Sequence, residues 1–127
     1  MMPQGKLDIA ALAHDYFAEV IRGQDIETEA FDRLVDLTGA DPDAAWAVVR
    51  RLIDLSASDV DLAHVGAGPL EQLLVASPET LVPIVVEESK KDPQLRRALE
   101  FVVIAVDDIP AEEWRVLDTA RHTPIDE

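Results

Sequence analysis

The sequence predicts an all-α protein, a compact bundle or a short stack of seven to eight antiparallel helices. Apolar residues recur at steps of three and four along most of the chain, which is the period of an amphipathic helix. Proline, glycine and aspartate interrupt this pattern at the intervals expected of short helices. No segment shows sustained two-residue alternation. The 127-residue length suits one domain, so we predict a single helical domain over residues 1–121 and a frayed tail over residues 122–127.

The first two helices are predicted from their apolar stripes. The stretch LDIAALAHDYFAEVIR has apolar residues at helical spacing, and Gly23 follows it as a helix stop. A second helix is expected from about Glu27 to Thr38, with Gly39 as its stop. Both glycines are expected to end the preceding helix.

The later helices are predicted from their first residues. Asp41 is a good N-cap, and Pro42 fits the first helical position because its missing N–H has no partner there in any case. The same signal recurs at Ser77-Pro78, Asp92-Pro93 and Pro110. We therefore expect helices to begin at each of these four points.

Two segments resist this simple interpretation. Pro83 lies past the first turn of the helix that begins at Pro78, so a kink or a later start is expected. FVVIAV, from Phe101 to Val106, has the β-branched composition of a strand. Its neighbours are helical, so we predict that it continues the helix that begins at Pro93.

The stretch HVGAGPLEQLL, residues 64–74, is predicted to be a corner between two helices. Gly66 in the left-handed conformation would close a short helix from Asp59 to Val65. Gly68 would then cap the next helix, with Pro69 at its first position and Glu71 facing its free amides. The alternative is a phosphate site at a helix N-terminus. The lysine and spacing of a P-loop are missing, and Glu71 already adds negative charge there.

A family resemblance rests on this corner. GAGPLEQLL, residues 66–74, lies downstream of Trp46 and upstream of ESKKDPQLRRAL, residues 88–99. Together these segments resemble a family of small bacterial proteins of unknown function with a Gly-x-Gly-Pro-Leu-Glu-x-Leu-Leu corner. The resemblance covers residues 41–106, leaves the first two helices unmatched, and departs from the pattern at Pro83. It implies a bacterial, all-α domain and no particular activity.

The charge balance restricts the partners. The chain has 26 acidic and 11 basic residues, a net charge of −15, and no cysteine. Nucleic acid and anionic membranes need positive surface, so neither is expected as a partner, whereas a basic protein would be attracted.

Because the chain has no cysteine, disulfides and thiolate metal sites are excluded. With no signal peptide and no apolar run of about 20 residues, we expect a soluble, cytoplasmic protein.

Catalytic and metal-binding residue types are present but form no established motif, so no catalytic residue, metal or cofactor is predicted. His14 with Asp15, and Asp61 with His64, could each offer two metal ligands, but pairs like these are expected by chance in a chain with so many acids. The other candidates are His122, the acid pairs Glu87-Glu88 and Asp107-Asp108, and four serines, Ser56, Ser58, Ser77 and Ser89. A basic cluster, Lys90, Lys91, Arg96 and Arg97, is interpreted as helix-dipole compensation and pairing with nearby acids rather than as an anion site.

One acidic run is the candidate binding surface. Residues 25–43 contain seven acids and a single base, Arg33. The acids are Asp25, Glu27, Glu29, Asp32, Asp36, Asp41 and Asp43. A solvated helix face and a docking face for a basic protein both explain it. We expect a non-enzymatic acidic protein-binding domain, in its sharper form an immunity- or antitoxin-type inhibitor of a basic enzyme. The alternatives are a self-associating structural helical domain, as a homodimer, and a small hydrolase that uses Glu and His.

Overall fold

The computed structural model describes residues 8–122, and all regular structure in that range is helical. Because α-helices run directly into π-helical segments at two places, the described chain forms seven continuous rods. The elements are α1 (Ile9–Tyr16), π1 (Phe17–Arg22), α2 (Glu29–Ala40), α3 (Pro42–Leu55), α4 (Asp59–Val65), π2 (Gly66–Leu70), α5 (Glu71–Ala76), α6 (Pro78–Ser89), α7 (Pro93–Leu99) and α8 (Ala111–His122). The all-α prediction and the predicted number of helices are confirmed. Of the predicted frayed tail, residues 122–127, His122 is instead the last residue of α8, and residues 123–127 lie outside the described residues.

Two of the predicted N-caps, Asp41 and Asp92, form side-chain hydrogen bonds, whereas Ser77 precedes α6 without one. Asp41 accepts from the Ala44 amide at 3.2 Å, ahead of Pro42 at the start of α3. Asp92 accepts from two amides at the start of α7. Each cap satisfies amide donors that a helix start leaves without partners.

The predicted stop at Gly23 is confirmed, whereas the predicted stop at Gly39 is wrong. Gly39 lies inside α2, which continues to Ala40 and ends only where Asp41 begins the next helix. The rod of α1 and π1 does end at Gly23, but Gly23 keeps right-handed φ −79°. Gln24 is the left-handed residue, with φ 56°, and its side-chain amide donates to the Ile21 carbonyl at 2.6 Å. The side-chain amide of Gln24 thus donates to a carbonyl that would otherwise have no hydrogen-bond partner at the end of the helix.

The helix predicted through FVVIAV is wrong. Helix α7 ends at Leu99, residues 102–105 are neither helix nor strand, and Val102 and Ile104 are buried while Val103 is 73% exposed. The strand alternative also fails over the described residues. Helix propensity and the local apolar stripe are overridden here by side chains of other helices that bind this backbone.

Pro83 does not delay its helix. Helix α6 begins at Pro78 and continues through Pro83 to Ser89. The predicted later start is therefore wrong. Pro83 is exposed, so its ring occupies no core volume.

The core is aliphatic, as the low aromatic content predicts. Helix α3 packs against α1 and α2, α4 packs against α7, and α6 packs against α8. Leu52 of α3 and Leu99 of α7 are fully buried, and Trp46 is the buried tryptophan of α3. Within the described residues, no helix combines the length and apolarity needed to cross a membrane.

Candidate interaction surface

The seven acids of the predicted binding run are all exposed, and we call them the acidic surface. Asp25 and Glu27 precede α2, Asp41 joins α2 to α3, and Asp43 lies in the first turn of α3. The other three, Glu29, Asp32 and Asp36, lie on α2 at spacings of three and four, which places them on one helix face. The surface therefore spans one helix and both of its ends.

Two acids of this surface have local structural roles. Asp25 accepts a hydrogen bond from the Glu27 amide at 2.9 Å, and Asp41 is the N-cap of α3. Arg33, the single base of the run, is exposed and makes no ion pair with the described residues. The carboxylates on α2 are therefore not neutralised by ion pairs within the described fold.

The predicted glycine corner is instead part of a continuous helical rod. Gly66 has φ −66° and begins π2, and Pro69 lies inside this segment, which continues directly into α5. Neither a left-handed Gly66 nor an N-cap at Gly68 exists. The wide turn of a π-helix makes room for the Pro69 ring, which would clash with the carbonyl four residues earlier in a regular helix.

Gly66 is required for a different reason, the close approach of α7. A Cβ placed on Gly66 would lie 2.3 Å from the Ala98 carbonyl oxygen and 3.1 Å from the Phe101 Cβ. Around Gly68, by contrast, nothing lies within 4 Å of such a Cβ. The motif thus contains one glycine that packing requires and one that it does not.

Glu71 does not face the amides of its own helix start. Its Oε1 accepts a hydrogen bond from the Val103 amide at 2.9 Å, 32 residues away. The Glu71 amide itself donates to the Gly66 carbonyl within the rod. Because the rod uses this amide, the phosphate-site alternative has no free helix N-terminus here.

A half-buried ion pair that the sequence analysis missed, between an exposed Arg22 and a buried Asp61, joins π1 to α4. Arg22 donates from Nε and Nη2 to the two carboxylate oxygens of Asp61, each at 3.0 Å, and the Ala57 amide donates to Asp61 at 2.9 Å. The Asp61 side chain is 6% exposed. The hydrogen bonds from Arg22, followed by the one from Ala57, lower the pKa of Asp61 below its ordinary value.

The histidines do not converge on a site. His14 lies 3.5 Å from its neighbour Asp15, and His122 lies 2.8 Å from the Asp118 carbonyl. His64 is exposed on α4. The described residues contain no group of three side chains placed to bind a metal.

Three of the four serine candidates and the Glu87-Glu88 pair have structural partners, whereas Ser77 makes no side-chain cap hydrogen bond. Ser56 and Ser89 donate to helix carbonyls at 2.9 and 2.7 Å, and Ser58 caps α4. Glu87 pairs with Lys90 at 3.3 Å and Glu88 with Arg50 at 3.1 Å. The neighbouring Glu residues thus bind different cations and do not form a dyad.

The basic cluster at the start of α7 is largely neutralised. Arg97 binds both carboxylate oxygens of Asp59, at 3.0 and 3.3 Å, contacts Glu100 and stacks on the Phe101 ring. Arg96 pairs with Glu100 at 3.1 Å and donates to the Arg121 carbonyl. These contacts support the interpretation that the cluster is structural.

A shallow hollow of about 360 Å³ lies beside this cluster. It is lined by Glu100, Arg121 and His122. Arg121 already donates to the Val102 carbonyl at 2.8 Å and to Asp118 at 3.2 Å. The Arg121 guanidinium therefore joins α8 to the segment after α7 through Val102, while its buried Nε has no hydrogen-bond partner among the described residues.

Comparison with known families places the chain in one of them. Residues 22–125 match the model of a family of unknown function, DUF6869. The chain belongs to this family. The match extends beyond residues 41–106, where the sequence resemblance lies, and includes α2 with the acidic surface. No curated protein and no solved structure shows significant similarity to the chain.

Proposed function

We propose that this chain is a non-enzymatic protein-binding domain whose acidic surface docks onto a basic partner. The supporting observation is that all seven carboxylates of the surface are exposed, and that the single base in their run, Arg33, neutralises none of them by an ion pair within the described residues. Several of the catalytic candidates, by contrast, are engaged in caps, ion pairs and helix hydrogen bonds, among them Ser56, Ser58 and Glu88.

Electrostatics explains how such a surface would act. A field of one sign steers an oppositely charged partner and raises the association rate at low salt. The range of this field falls to about 10 Å at 0.1 M ionic strength, so the attraction weakens as salt is added. A chain with net charge −15 also repels further copies of itself, which favours a basic partner over the alternative of a homodimer.

The sharper form of the proposal is an immunity- or antitoxin-type inhibitor. Such a protein covers the basic active site of an enzyme that acts on an anionic substrate, for example a nuclease. This form requires that the bound partner lose its activity in the complex. The activity of the captured partner, with and without this protein, tests it.

A matched pair of charge variants tests the proposal. Asp32→Asn with Asp36→Asn removes two charges from the acidic surface, and Asp54→Asn with Glu79→Gln removes two from α3 and α6. Each variant loses one acid from the first turn of a helix, Asp32 or Glu79, so the dipole cost is matched.

Immobilised wild-type protein is expected to retain a basic protein from extracts of the source cells and to release it as salt rises. The Asp32/Asp36 variant is expected to release it at lower salt, and the Asp54/Glu79 variant to behave as wild type. Equal release by both variants, or retention that does not respond to salt, would contradict the proposal. Light scattering over a range of concentrations tests the homodimer alternative.

A further inference from the structure

The segment after α7 is held in place by side chains from other elements. Within residues 102–105, the Val103 amide donates to Glu71 of α5 at 2.9 Å, and the Val102 carbonyl accepts from Arg121 of α8 at 2.8 Å. The Ile104 carbonyl accepts from the Trp114 indole at 3.3 Å. Backbone groups that a helix would satisfy internally are thus satisfied by tertiary contacts.

The turn that follows fixes the end of this segment. The Ala105 amide donates to the Asp108 carboxylate at 2.9 Å, and the Asp108 amide donates back to the Ala105 carbonyl at 2.9 Å. We call residues 102–106 the Val103 segment. Hydrogen bonds reach its backbone at each residue from Val102 to Ala105.

This fixed backbone displays apolar side chains to solvent. Val103 is 73% exposed and Val106 is 54% exposed, whereas Val102 and Ile104 are buried at 3% and 6%. Val103 lies between two buried neighbours on a backbone that is neither helix nor strand, and Val106 lies in the turn that follows. Valine has a stiff χ1, so little side-chain entropy is lost when a partner covers it.

The charge around these valines selects among possible occupants. Residues 100–113 contain five acids and no base. Glu100 is paired with Arg96 and Arg97, but the other four acids, Asp107, Asp108, Glu112 and Glu113, make no ion pair with the described residues. A second copy of this chain would set the same acids against them, which like-charge repulsion disfavours.

We propose that the Val103 segment is a preformed docking surface for a basic amphipathic segment of a partner protein. Val103 and Val106 contact the apolar side chains of that segment, and the acids that follow them face its lysines and arginines. That the partner is a basic protein rests on the proposed function. The contact proposed here, however, is made by the Val103 segment, which is separate from the acidic surface of α2.

A peptide titration followed by backbone-amide NMR of the full chain tests this inference. One probe is a synthetic amphipathic peptide of leucine and lysine, and its control is a peptide of equal charge with serine in place of leucine. We expect the leucine-containing peptide to shift the amides of residues 102–108 and to bind more tightly than the control. Replacing both Val103 and Val106 by serine is expected to weaken its binding at least fivefold, since each valine buries apolar surface against the peptide.

The matched control for these substitutions is Val35→Ser, which changes a 43% exposed valine on α2. It is expected to leave the affinity unchanged, and all variants are expected to keep the wild-type melting temperature because the replaced side chains are exposed. Shifts confined to residues 25–43, with equal affinity for both peptides, would overturn this inference while leaving the proposed function intact. Shifts on neither surface would contradict both. Concentration-dependent broadening of residues 102–108 without peptide would instead identify a second copy as the occupant and overturn the inference.

Discussion

Replacing Gly66 by alanine tests the close approach of the helical rod to α7. The new Cβ would lie 2.3 Å from the Ala98 carbonyl oxygen, whereas ordinary contact begins near 3.4 Å, so the two backbones must separate by about 1.1 Å. Overpacking of this kind costs about 1–3 kcal/mol, and a backbone obstacle places the cost at the upper end. Alanine regains about 1 kcal/mol through its higher helix propensity.

The net expectation is a loss of about 2 kcal/mol in the free energy of unfolding, or about 8 °C in melting temperature for a chain of this size. Urea and thermal denaturation followed by circular dichroism measure both. Gly39→Ala is the matched control, because Gly39 lies inside α2 with nothing within 4 Å of a new Cβ. It is expected to stabilise the protein by about 0.5–1 kcal/mol.

The two alanine variants must therefore change stability in opposite directions. If Gly66→Ala is as stable as the wild type, α7 does not approach the rod as described. If Gly39→Ala is destabilising instead, Gly39 ends its helix in the left-handed conformation, and the sequence-based prediction was right.

Three further predictions follow from individual side chains of the fold. Arg22→Gln leaves Asp61 without its charged partner and is expected to destabilise the protein. Because the folded-state pKa of Asp61 is lowered, the loss of stability relative to wild type is expected in full above about pH 5 and is expected to shrink below about pH 4. Urea denaturation at a series of pH values measures this difference. Glu71→Ala removes the acceptor of the Val103 amide and is expected to speed hydrogen exchange there about fivefold, whereas an unchanged rate would refute the bond. Leu52→Ala opens a cavity in α3 and is expected to cost about 2–5 kcal/mol in urea denaturation, and a loss below about 1 kcal/mol would contradict its full burial.

The capping signals of the sequence predicted helix starts well because they act over three or four residues. Asp41 with Pro42 and Asp92 with Pro93 begin helices as predicted. Their side chains bond to amides of the same turn, so the information lies within the local sequence. The exposure of the α2 acids was likewise predictable from their spacing opposite the apolar stripe.

The corner around Pro69 could not be predicted in the same way. Glycine and proline favour a break locally, but a π-helical turn accommodates both, and packing of Gly66 against α7 keeps the rod in place. The Arg22–Asp61 pair was missed because its partners lie 39 residues apart and leave no local pattern. Long-range contacts of this kind exist only after the chain has folded.

The sequence by itself determined the helical class, the helix starts at capping residues and the acidic character of the surface, since periodicity, caps and charge are local properties. Only the tertiary structure decided that α7 stops at Leu99 and that Val103 is exposed. The apolar stripe of FVVIAV fits a helix, but Glu71, Trp114 and Arg121 bind its backbone from distant positions. Those bonds replace the helix hydrogen bonds, and they exist only because the other rods bring these side chains together.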